Sequence, residues 1–200
     1  VEFLENKGVR VITQKINGRG QAFRDAFNNT SSDVLVFFGP DGNENPDDIA
    51  RFIKEFENNK HIGMVVARRL GPEAINKEDC KKIKPRKWVN IIFNIAANIL
   101  WNSNEKVYDT INGFRAITRS TWDVINVDAD GYTVEYQSTI RCFKEKISIV
   151  EFPTHELQRI GDKKGLPAFR TGVVFVKVFL FEVYYSIKQF FVKTSKYSKT

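Results

Sequence analysis

Sulfur and imidazole are scarce here, with two cysteines, two histidines and one methionine in 200 residues. Cys80 and Cys142 have no second cysteine at metal or redox spacing, so they read as free thiols of a reducing compartment. His61 and His155 lack Cys, His or acidic companions at zinc spacing, which excludes a recognisable zinc motif. No Ser/His/Asp or Cys/His arrangement can be drawn, so a hydrolase triad is not expected. Nor is there an unbroken apolar run of about 20 residues, the length a membrane-crossing helix needs. Val173 to Val192 comes nearest, and Lys177, Glu182, Lys188 and Gln189 interrupt it. Internal repeats are absent, and so is any recognisable module that interleaves basic residues with aromatics, which leaves nucleic acid without an expected role. The chain opens at Val1, and Glu2, Glu5 and Lys7 break the segment where a signal peptide would be apolar. It is therefore expected to start inside a longer protein.

What remains is globular in composition: 42% hydrophobic and 28% charged residues, enough for one domain with a substantial core. A net charge of +7 favours an anionic partner, and by charge alone nucleic acid, a phosphorylated small molecule and an anionic membrane surface all qualify.

Apolar runs and turn residues alternate along the chain. Strands are expected at Val9–Thr13, Asp33–Phe38 and Ile62–Ala67, with helices at about Gln21–Asn28 and Asp47–Asn58 between them, an order that implies a parallel sheet. Val34 to Phe38 is wholly apolar and reads as a strand covered on both faces. Gly39, Pro40 and Gly42 stop it, and Asp41 and Asn43 follow at its carboxyl end, where open α/β sheets bind ligands. Pro46, Asp47 and Asp48 suit the opening turn of the next helix.

A basic loop, Arg68 to Lys87, leads to a helix at Trp88–Trp101. There Asn90, Asn94 and Asn98 form a stripe expected to face solvent, with a substrate-lining or interface stripe as the alternative. Later elements are a strand at Gly113–Ile117, a helical turn at Ser120–Val124, a helix at Val134–Lys144 and a strand at Ile147–Phe152. A polar loop, Glu156–Pro167, precedes the last helix. On a helical wheel Lys177, Glu182, Ser186, Lys188, Gln189 and Lys193 fill one half of that helix and apolar residues the other, as in a helix lying on a surface. The expected division is a main domain over 1–167, an amphipathic helix over 168–193 and a mobile tail over 194–200.

Four segments carry the chemistry. Asn17-Gly18-Arg19-Gly20-Gln21-Ala22-Phe23-Arg24 is a glycine-punctuated helix start. Gly39-Pro40-Asp41-Gly42-Asn43 is a tight turn with oxygen donors. Tyr108-Asp109-Thr110-Ile111-Asn112-Gly113-Phe114-Arg115-Ala116 puts a carboxylate before a turn and an arginine after it. The fourth group is Glu135 on the Val134 helix, Glu151 in Ile149-Val150-Glu151-Phe152-Pro153, and Gln158-Arg159-Ile160-Gly161-Asp162-Lys163-Lys164. Each has a plain structural reading too: a helix cap, a tight turn, a structural ion pair or a solvated charge cluster.

Together these segments resemble the family-2 glycosyltransferases, particularly the polyprenyl-phosphate (dolichyl-phosphate) sugar transferases, over roughly Val9 to Gly165. The resemblance implies a GT-A, Rossmann-like fold: a mixed, mostly parallel sheet flanked by helices, with a C-terminal amphipathic helix. It implies a catalytic set of Asp109, Arg115 and Glu135. Donor or phosphate groups would be met by Gly18, Gly20, Asp41, Arg68, Arg159, Lys163 and Lys164. Mg²⁺ or Mn²⁺ would sit on Asp41 and Asn43. Gly39 departs from the family pattern, which has an acid there, and the family's usual N-terminal nucleotide-binding start is expected to be missing from these 200 residues. The implied reaction is inverting transfer from a nucleotide-sugar to a polyprenyl phosphate at the cytoplasmic face of a membrane, by a peripheral protein that could form homo-oligomers. The alternative is a catalytically silent module of the same shape that docks a membrane or a protein.

Overall fold

The computed structural model describes residues 2–77, 85–102, 104–158, 160 and 168–197. Its main sheet has four strands, β1 (Val34–Phe37), β2 (Ile62–Arg68), β4 (Arg115–Thr118) and β5 (Ser148–Pro153), in the order β1-β4-β2-β5. β2 and β5 are parallel, while β4 runs antiparallel to both of its neighbours. β1, β2 and β5 therefore point the same way, and the start of β4 lies among their carboxyl ends. A second sheet of two short parallel strands, β3 (Ile75–Asn76) and β6 (His155–Glu156), straps that end.

The period-two alternation of β2 builds the core on both faces. Met64 and Val66 pack with Phe23 and Phe27 of α2 (Arg19–Asn28), Trp122 of α5 (Arg119–Ile125) and Val134 of α6 (Val134–Lys144). Val65 and Ala67 face the other way, onto Phe52 of α3 (Asp48–Asn58), Phe114 and Phe152. A third cluster, Phe93, Ala97, Tyr136, Ile140 and Phe175, joins α4 (Pro85–Trp101) and α7 (Ala168–Tyr197) to α6. The remaining helix, α1 (Glu2–Glu5), buries nothing.

Several expectations need correction. Val9–Thr13 forms no strand: Val9 and Ile12 are exposed, and no strand pairs with them among the described residues. β1 is an edge strand, half-buried throughout, because among the described residues only β4 pairs with it. The expected tail is helical as far as Tyr197. Glu182 does not share a solvent face with Lys177. It is fully buried, where Arg141 and Lys144 of α6 meet its carboxylate and Gln137 donates to it. α7 is thereby pinned by its one internal acid, and its outer side exposes Val173, Val176, Leu180, Tyr184 and Ile187. No described helix is long and apolar enough to cross a membrane.

Asn94 and Asn98 of the α4 stripe turn inward. Asn94 donates to the Tyr108 carbonyl and accepts from the Thr110 amide at 3.0 Å, and Asn98 makes the same pair of bonds with Val107 at 2.8 and 2.9 Å. Each side-chain amide thus serves the 107–110 segment as a neighbouring strand's backbone would. The outward face of α4 is apolar instead, with Trp88, Ile92, Ile95 and Ile99 exposed.

Candidate active site

At the carboxyl ends of β1, β2 and β5 the connecting loops form a crevice. The segment carrying Asp109 is fixed from two sides, by the asparagines of α4 and by Glu151 of β5, whose carboxylate accepts the Tyr108 and Asp109 amides at 2.7 and 2.8 Å. Burial pushes Glu151 up to about 7, with the Asp109 charge adding to the rise against the two amides and Arg68. Asp109 itself is completely buried. Both of its oxygens take a fork from the Arg69 guanidinium, at 2.9 and 3.1 Å, and the Arg69 amide adds a third bond at 3.0 Å. Burial works to raise the Asp109 carboxyl, but Arg69, with Arg115 behind it, holds it below its ordinary value.

Glu135 repeats the arrangement. Its buried carboxylate, at the start of α6, pairs with Arg19 at the start of α2, whose side chain is 39% exposed. Gly113 makes room for that pair, since a Cβ there would overlap the Arg19 guanidinium. Two buried acids therefore each hold an arginine toward the crevice.

The loop after β1 supplies the opposite charge. Gly42 takes a left-handed turn at φ 69°, and the Asp41 and Asn43 carbonyls accept the Ile160 and Leu157 amides at 3.0 and 2.8 Å. Asn43 points inward, donating to Glu156 at 2.7 Å, and Glu156 lies 4.0 Å from Arg69. Glu44 folds back so that its carboxylate accepts the Gly39 amide. Burial raises the Glu44 carboxyl, the nearby Asp41 charge adds to the rise, and Arg19 and Arg69 oppose it. The charges of Arg19, Arg69 and Asp41 all act on Glu44, so the four side chains belong to one neighbourhood at this end of the sheet.

Of the residues expected at the site, Asp109 and Glu135 anchor Arg69 and Arg19, and Asp41 stands in the loop after β1 with its carbonyl on the Ile160 amide. Arg115 is corrected. It is wholly buried and donates to the carbonyls of Asn112, Glu135 and Thr110 and the hydroxyls of Ser138 and Thr139, so it knits α6 to β4 and touches no crevice. Arg68 is corrected as well: its guanidinium donates to the Leu70 and Pro72 carbonyls and stacks over Tyr108, while Arg69 takes the crevice position. Gly18 and Gly20 serve close packing. Their Cβ positions would overlap the Asp130 and Ala129 carbonyls, and the Gly20 amide is spent on Asp130. Asn43 is buried, with its amide nitrogen donating to Glu156. Arg159, Lys163 and Lys164 lie outside the described residues. Sequence reasoning missed Arg69, Glu44, Glu156 and the fixing role of Asn94. Arg69 and Glu44 each directly follow a residue that was identified, Arg68 and Asn43.

Mg²⁺ and Mn²⁺ prefer oxygen, and Mg²⁺ commonly takes one or two carboxylates and completes its shell with substrate phosphate. Asp41 and Glu44 fit that description. No group of three or more His, Cys, Asp or Glu side chains is poised as a closed metal site among the described residues.

Across 182 residues the chain is 22% identical to the glycosyltransferase AglJ of Haloferax volcanii, covering 89% of this chain and 57% of that protein. The fold matches glucosyl-3-phosphoglycerate synthase of Mycobacterium tuberculosis crystallised with Mn²⁺, UDP and glucosyl-3-phosphoglycerate. The TM-score is 0.60 and the identity 17%, over 88% of this chain and 60% of that one. The same enzyme with Mn²⁺ and UDP-glucose superposes with a TM-score of 0.59 at 17% identity, again over 88% and 60% of the two chains. The chain thus spans less than two thirds of the length of these relatives, and its fold is GT-A. The sequence profile of "Glycosyl transferase family 2" matches residues 1–105, more than half of the sequence, and the chain belongs to that family.

Proposed function

We propose that this chain carries the catalytic crevice of an inverting glycosyltransferase, which moves a sugar from a nucleotide-sugar to a polyprenyl phosphate at the cytoplasmic face of a membrane. The observation that carries the reading is the meeting of Arg19, Arg69 and the Asp41–Glu44 acids at the carboxyl ends of the parallel strands. A diphosphate needs cations, and here each arginine is pre-oriented by a buried acid, Asp109 or Glu135. Such fixed charges spend nothing on reorganisation as the leaving phosphate gains charge. A Mg²⁺ or Mn²⁺ ion held by Asp41 and Glu44 would neutralise part of that charge.

An acceptor phosphate is already ionised, so the protein has little general-base work to do. One of its oxygens forms the new bond to the anomeric carbon while the bond to the nucleoside diphosphate breaks. Positioning two anions side by side is then the main task of Arg19 and Arg69. The membrane part of the reading draws support from the outward apolar faces of α4 and α7 and from the net charge of +7. The resemblance of the 108–116 segment to the polyprenyl-phosphate transferases supports the acceptor class.

The test is transfer of labelled sugar from a panel of nucleotide-sugars to polyprenyl phosphate in liposomes, using the full-length protein. Lipid-linked label is expected with at least one donor. A protein that binds a donor yet labels no lipid would overturn the acceptor. One that binds liposomes and no donor would be the silent docking module.

A further inference from the structure

Position 39 is where this chain departs from the family pattern it otherwise resembles, because a glycine stands where an acid is expected. The structure shows what fills the gap. A Cβ built on Gly39 would stand 3.3 Å from Glu44 Oε1 and 3.4 Å from Oε2, so the Glu44 carboxylate occupies the space into which a side chain at 39 would grow. The Gly39 amide holds it there, and no side chain at 39 competes for the space. Asp41 is near enough for its charge to act on Glu44, as are Arg19 and Arg69.

We propose that Glu44 takes the place of the acid missing at position 39 and is, with Asp41, a protein ligand of the divalent cation that accompanies the donor diphosphate. The proposal rests on the reading of the crevice as a nucleotide-sugar site and adds to it a residue beyond the Gly39 to Asn43 turn. Three points of chemistry favour it. Glutamate is long enough to reach back across the turn made by Pro40 to Asn43. One Glu44 oxygen is used by the Gly39 amide, and a carboxylate has further lone pairs for a cation. Two adjacent carboxylates repel each other, and a divalent cation between them removes that repulsion.

The deciding experiment is Mn²⁺ binding to the full-length protein, read by the loss of the free-ion paramagnetic resonance signal with UDP or GDP present. This needs no catalysis. Glu44→Ala should weaken Mn²⁺ by about tenfold or more, as loss of a charged ligand does. Glu44→Gln keeps an oxygen for the Gly39 amide and should weaken it comparably, which separates loss of charge from collapse of the loop. The paired variant Gly39→Asp with Glu44→Ala should recover most of the affinity by returning the acid to position 39. Wild-type affinity in Glu44→Gln, or no recovery in the paired variant, would overturn the assignment of Glu44. If Asp41→Ala loses Mn²⁺ while both Glu44 variants keep it, Glu44 fails and the donor site stands. If the wild-type protein binds no Mn²⁺ with either nucleotide, the donor site and the Glu44 assignment fall together.

Discussion

Glu151 offers a quantitative test of how the Asp109 segment is held. Its carboxylate accepts two backbone amides beneath the crevice, and its proton affinity rises from an ordinary 4.5 to about 7, chiefly through burial. The sign follows from proton counting. Between those two values the folded protein holds a proton that the unfolded chain has shed, so stability falls as pH rises through that window. The favourable contribution is fully present below the unfolded value and gone above about 7. At about 1.4 kcal/mol per tenfold change in proton affinity, the whole span is worth about 3 kcal/mol. Glu151→Gln is uncharged at every pH and cannot contribute this slope. Guanidinium unfolding of both proteins at about pH 5 and about pH 8 should therefore show the stability gap moving in favour of the variant by about 2–3 kcal/mol as pH rises. Every other titrating group cancels in that double difference. A gap that is the same at both pH values would refute the buried-carboxylate account of the 108–109 turn.

Asn94→Ala strips the Tyr108 carbonyl and the Thr110 amide of their partners, and should cost about 2–4 kcal/mol in denaturant unfolding because two buried polar groups are left unpaired. A loss below 0.5 kcal/mol, roughly the scatter of a surface change, would show that the segment holds itself. Glu182→Ala leaves Arg141 and Lys144 facing each other in a buried setting, and should destabilise the protein by about 3 kcal/mol while loosening α7, read by faster amide exchange in that helix. Unchanged exchange in α7 would mean that Phe175 and its aromatic neighbours alone dock it.

Much of the scaffold was legible from periodicity. The α6 helix begins and ends where the spacing of Val134–Lys144 places it, and the apolar run at Ile62 marks the central strand. The turn after β1 follows the strand where the apolar run ends, as the glycines and Pro40 suggested. What periodicity cannot supply is the identity of the partner across a face. The stripe Asn90, Asn94, Asn98 gave the right face of α4 and the wrong environment. The 107–110 segment that covers it has no period of its own, and its bare amides and carbonyls are what the asparagines satisfy. Arg68 and Arg69 are neighbours at the end of a strand, so their side chains point to opposite sides, and composition cannot say which side is the crevice. Arg115 stood in the 108–116 segment, yet its guanidinium is enclosed by α6, a role visible only once Glu135, Ser138 and Thr139 are placed around it. Glu44 was hidden for a different reason: the expected acid was sought at position 39, and the chain supplies it from five residues further on.

The account stands on one claim, that the loop after β1 and the two anchored arginines hold a nucleotide-sugar through its diphosphate and a divalent cation. Calorimetric titration of the full-length protein with nucleotide-sugars, with and without Mn²⁺, measures this directly in the wild type and in Asp41→Ala. The expected result is a Mn²⁺-dependent affinity in the wild type that disappears in Asp41→Ala while the thermal midpoint stays the same. Equal Mn²⁺-dependent affinity in both proteins would contradict it.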